Sequence, residues 1–268
     1  MFHISHQQWA ALEDHALSAF EERTYAHLLQ WFPDHCALLG RQQMGAVIRR
    51  GLERANHHGL TPECGVRSYV EFMCLLGSGF DADPLLPWAA EILNDQVAGD
   101  PVERGDRLYD RAWQYLDHVS ADFQDWTGQA ANNRFVADLR PLRDERHNPL
   151  TPATVPAFSA LLEQRLVRLF PAKCNYVGMT ALQEHIRRGI GRAFHHGITG
   201  EKGVILVTLL MFLVGDGFDN DPLLPWVSAT LADPHLTRQE EKVDQLFGEG
   251  VAFLRRWWDL AESQGKRG

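Results

Sequence analysis

His57, His58, Asp81 and Asp83 are the first residues here whose types could do chemistry together, and they return as His195, His196, Asp219 and Asp221. Imidazole and carboxylate ligands suit zinc or non-haem iron, so the pattern raises a metal-dependent hydrolase using His57 or His58 with Asp81. Adjacent side chains on a helix point about 100° apart, so one histidine of each pair can face a shared ion. Histidines in a last helical turn are also stabilised by the negative helix end, without any metal. The reading therefore assigns no catalytic residue, no metal and no cofactor, and keeps the hydrolase as an alternative. The G-x-S-x-G, H-E-x-x-H, P-loop and dinucleotide glycine patterns do not occur. His35 beside Cys36 is not a nucleophile geometry.

A second recurring set is basic. "IRRG" stands at Ile48–Gly51 and again at Ile186–Gly189. Arg49, Arg50, Arg187 and Arg188 are candidates for binding an acidic partner, against the plainer expectation of solvated or locally ion-paired arginines. Gly51 and Gly189 fall in mid-helix, where glycine costs about 1 kcal/mol relative to alanine, so a close approach between helices is expected there.

Both sets lead into one longer phrase, "GSGFDADPLLPWA" at Gly77–Ala89 and "GDGFDNDPLLPWV" at Gly215–Val227. Asp83-Pro84 and Asp221-Pro222 read as a helix N-cap followed by proline at the first helical position. Leu85, Leu86 and Trp88 then plug a short helix into the core, and Asp81 is placed to receive backbone N–H groups in the turn. Phe80, Asp81, Asp83, Pro84 and Trp88, with Phe218, Asp219, Asp221, Pro222 and Trp226, form a motif read as structural.

Phe80 and Phe218 define an offset of 218 − 80 = 138, which aligns the chain without a gap from Phe20/Phe158 to Asp95/Asp233. Between Phe32 and Asp95 roughly half the positions are identical, far longer than a solenoid repeat of about 20 to 50 residues. The apolar spacing inside each copy is helical. Trp9, Leu12, Ala16, Phe20, Leu28 and Trp31 mark a first helix before "FPDHC", and Met44, Val47, Ile48 and Ala55 a second that stops at Gly59. A third runs from about Gly65 to Leu76, and a fourth carries Leu108, Ala112, Tyr115, Val119 and Phe123. No alternating strand pattern competes. The expectation is an all-α protein of two tandem homologous helical domains related by internal duplication, at 1–126 and 154–268, joined by a linker at 127–153.

The copies diverge in the third helix, where Arg67, Tyr69 and Glu71 become Ile205, Val207 and Leu209. The first version has a wet face, with Arg67 and Glu71 one turn apart; the second is apolar all round and must be covered. It is expected at the centre of its own unit, beneath the first repeat or "FLRRWWDL" with Trp257 and Trp258.

A formal net charge of −9 and pI near 5.8 argue against phosphate-backbone binding, so no nucleic-acid partner is expected. Four cysteines without a CxxC pair fit reduced thiols, and the start lacks a secretory pattern, so a cytoplasmic location is expected. "VILVTLLMFLV" is about half the length needed to span a bilayer.

"IRRGLERANHHGL" followed by "LLGSGFDADPLLPWA" resembles a family of small α-helical bacterial accessory proteins encoded beside type VI secretion spike and effector genes. The resemblance rests on Phe80, Asp83, Pro84, Pro87 and Trp88, and again on Phe218, Asp221, Pro222, Pro225 and Trp226. It implies a cytoplasmic adaptor or co-chaperone that helps load effectors onto the spike, with an effector, effector chaperone or toxin as its protein partner. Two copies in one chain depart from the single-unit arrangement of such proteins. An immunity protein that binds and neutralises a toxin is the alternative binding role.

Overall fold

The computed structural model describes residues 5–61, 63–95, 100–119 and 148–265. Among them the protein is all-α, with one isolated backbone bridge, Pro149 to Gly200. Helix α1 spans His6–Trp31, α2 Pro33–His57, α3 Glu63–Leu76, α4 Pro87–Asn94 and α5 Pro101–Val119; α6 spans Val155–Leu169, α7 Pro171–His195, α8 Glu201–Val214, α9 Pro225–Ala232 and α10 Gln239–Gly265. Subtracting 138 from the bounds of α7, α8 and α9 returns those of α2, α3 and α4. No described helix is long and apolar enough to cross a membrane.

Two helix starts differ from the sequence reading. The second helix of each half begins at Pro33 and Pro171, because proline at the first helical position loses no hydrogen bond. Gly40 and Gly178, with φ of 74° and 79°, then kink it, which breaks the periodicity before Gln42. Asp83 and Asp221 do not cap helices either. α4 and α9 start four residues after them, at Pro87 and Pro225, with no side-chain cap. Each aspartate instead closes a two-residue turn, Oδ1 accepting from the Leu85 or Leu223 N–H at 2.8 Å.

The expected close approach is present. A Cβ on Gly51 would overlap Val70 of α3, and one on Gly189 would lie 2.5 Å from Thr208 Oγ1 of α8. Of the expected linker, 127–147 lies outside the described residues, as does Phe123. At its end, Leu150 donates to the Thr199 carbonyl and Glu201 to that of Asn148, tying this stretch to the start of α8.

Helix α8 is buried from Lys202 to Phe212, and its cover comes from its own half, where α6, α7 and α10 pack on it. A Cβ on Gly203 would sit 2.7 Å from Val243 of α10. The expected contribution of Trp257 and Trp258 lies outside the described side chains. In α3, Tyr69 is buried while Arg67 and Glu71 stay partly exposed, and Glu71 is bonded by His27 of α1.

Candidate functional site

The two copies of the repeated phrase meet. Gly77 and Gly215 have φ of 92° and 103°, and a Cβ on Gly77 would overlap the Val214 carbonyl oxygen. Only glycine lets the two backbones come this close. Ser78 N–H donates to Asp221 Oδ2 at 2.9 Å, and Asp216 N–H donates to Asp83 Oδ2 at 3.1 Å. Each aspartate thus fastens its own turn with one oxygen and the opposite half with the other. Cross-links flank the seam: Gln43 donates to the Pro222 carbonyl at 2.7 Å, and Arg188 to that of Ala82 at 3.1 Å. Helix α5 packs on α7 and α10 on α2. Burial pushes the Asp83 carboxyl up to about 6 and raises Asp221 as well.

Asp81 and Asp219 face away from the seam, each into its own half. Asp81 Oδ2 accepts from Arg54 Nε at 2.9 Å, His58 Nε2 at 2.9 Å and the Tyr69 hydroxyl at 2.6 Å. In place of the expected backbone N–H groups, this carboxylate takes side-chain donors. Burial alone would raise the Asp81 carboxyl, but these donors outweigh it and hold it at about 2. Asp219 has the matching pair, His196 at 2.8 Å and Arg192 at 3.3 Å, and lacks the hydroxyl because Val207 stands where Tyr69 does. His57 and His195 stand exposed, their rings edge-on to His58 and His196.

The histidine and the aspartate singled out as metal ligands are therefore brought together, once in each half. Each centre supplies one imidazole and one carboxylate, and a guanidinium takes the place beside the carboxylate that a cation would need. No group of three potential ligands occurs among the described residues. This donor set suits a buried ion-pair network better than a metal. Arg54, Arg192 and Tyr69 were missed in the sequence, although the two arginines recur at the same offset one turn before His58 and His196.

Burial holds the His35 imidazole near 4 and pushes the Cys74 thiol far up. His35 Nε2 bonds the Cys74 carbonyl at 3.1 Å, so this pair along an apolar cavity of about 240 Å³ is a neutral packing element, not a thiolate centre.

The four arginines separate. Arg49 bonds Glu21 at 3.1 Å, Arg187 bonds Glu184 at 2.6 Å, and Arg188 bonds Glu184 at 2.9 Å and Asp216 at 3.0 Å. Arg50 makes no hydrogen bond or ion pair with any described residue, and its Nε is buried without an acceptor.

Comparison with protein-family models, curated proteins and solved structures finds no match to this chain.

Proposed function

We propose that the chain is a non-enzymatic protein-binding accessory factor of two homologous helical domains that arose by internal duplication. In this reading it is an adaptor or co-chaperone that loads a bacterial type VI secretion effector in the cytoplasm. The duplication is supported by the recurrence of helix bounds at 138 residues and by the reciprocal bonds of Asp83 and Asp221. In this reading the phrase occurs twice because each copy receives the other.

The observation that carries the binding role is the placement of tryptophan. Of the five with described side chains, Trp9 is 55% exposed, Trp31 63% and Trp113 50%, while Trp88 and Trp226 are more buried. Tryptophan is enriched where proteins dock, because its large ring gains most from being covered. Trp113 also forms an edge-on pair with half-exposed Tyr109 on α5. The resemblance to secretion accessory proteins supplies the partner class.

The test is to delete the gene and follow the effector encoded beside it, then capture that effector with the purified chain. Loss of its secretion with direct capture is expected. Intact secretion, with the chain instead protecting cells from the toxin, makes it an immunity protein.

A further inference from the structure

We infer that Arg50 receives a carboxylate side chain of the protein partner, an inference that rests on the binding role proposed above. Arg188, 138 residues later, is held by Glu184 on its own helix and Asp216 on the seam. The corresponding positions in the first half are Ala46 and Ser78, a methyl and a hydroxyl. Arg50 keeps the guanidinium and lacks both acids. Glu53, one turn along α2, makes no ion pair with it, and the neighbouring arginines are engaged, Arg49 by Glu21 and Arg54 by Asp81.

A buried N–H on a charged group without an acceptor costs free energy that an incoming acceptor recovers. The Nε–H itself is covered, but Arg50 as a whole is only partly buried, so a group from outside can reach the guanidinium by its exposed part. Its one electrostatic neighbour across the seam, Asp221, is itself buried and spends its oxygens on the N–H groups of Ser78 and Leu223. Charge complementarity selects an anion, and the second half shows which kind, since carboxylates occupy the equivalent place twice. A phosphate dianion would meet Asp221 and Glu53 in a chain of net charge −9. The position thus reads a partner's Glu or Asp, gripped as Glu184 grips Arg188.

The test uses the whole chain with sodium acetate as the probe, and follows the arginine Nε–H resonances, that of Arg50 being assigned from Arg50→Lys. Acetate is expected to move the Arg50 resonance and to leave that of Arg188 in place. Ala46→Glu copies Glu184, should shift the Arg50 resonance towards that of Arg188, and should abolish the acetate response. It should also raise the denaturation midpoint by about 1 °C in the native background and not in Arg50→Ala. No differential acetate response, a stronger response to sulfate than to acetate, or an equal effect of Ala46→Glu in both backgrounds would overturn the carboxylate site. Against the captured partner, Arg50→Ala and Ala46→Glu should each weaken binding about tenfold. Unchanged capture by both variants refutes the partner's use of Arg50 while the binding role stands. An acetate-responsive Arg50 in a chain that captures no neighbouring effector refutes the binding role and the partner's part in this inference, leaving an anion site alone.

Discussion

Glu71 and Leu209 stand at the same place in the two halves, yet one is partly exposed and bonded by His27 while the other is 3% exposed beneath its own half's helices. The scaffold is shared and the environment is not. The first half carries polar residues over a buried tyrosine–aspartate network, with Glu71 tied to α1, while the matching helix of the second half is hydrocarbon from Val204 to Val207 and is covered by α6, α7 and α10. The repeated phrase makes the same turn and the same seam bonds in both halves, while the third helix differs with what covers it.

Exchanging residues between halves tests this most severely. Leu209→Glu, which installs the first half's residue, should abolish cooperative folding, because an isolated buried carboxylate costs several kcal/mol, on the order of the whole stability. The reverse change, Glu71→Leu, should shift stability by no more than about 1 kcal/mol, since it removes only a part-exposed pair. Denaturant unfolding of both reads the contrast; equal effects would mean that α3 and α8 are covered alike.

A smaller effect separates the seam from an ordinary kink. Gly77→Ala should destabilise by about 2–4 kcal/mol, combining left-handed strain with overlap on the Val214 carbonyl. Gly40→Ala also forces a positive φ on a side chain but meets nothing within 4 Å of the added Cβ, and should cost about 1–3 kcal/mol. Similar midpoints for the two would remove the close approach.

The smallest concerns the hydroxyl found only in the first half. Tyr69→Phe should cost about 1–2 kcal/mol by taking one donor from a buried carboxylate. Asp81 is held at about 2, below the ordinary 3.8, so its contribution is full above pH 3.8 and lost as pH falls towards 2. Removing the donor moves that loss to higher pH, measurable as an earlier acid transition; an unmoved transition would show that Arg54 and His58 suffice.

Helix existence, the stop at Gly59, and the close approach at Gly51 and Gly189 were legible because periodicity and glycine placement are local signals. The start at Pro33 was not, since the kink at Gly40 scrambles the period. The role of Asp83 was half legible. Its turn follows from Asp-Pro chemistry, but its second oxygen reaches residue 216, and one sequence without a fold cannot say which distant N–H a carboxylate meets. Arg50 and Arg188 read identically in "IRRG", and only packing separated them, through Glu184 and Asp216.

Through Asp83 and Asp221 each copy of the phrase holds the other half in place. Native-state hydrogen exchange at the Ser78 and Asp216 amides tests it most directly, in Asp221→Ala and Asp83→Ala. Crossed losses are expected: Asp221→Ala deprotects Ser78 and Asp83→Ala deprotects Asp216, each 130 residues or more away in sequence. If each substitution loosens only its own turn, at Leu223 or Leu85, and leaves the opposite amide protected, the reciprocal seam is contradicted.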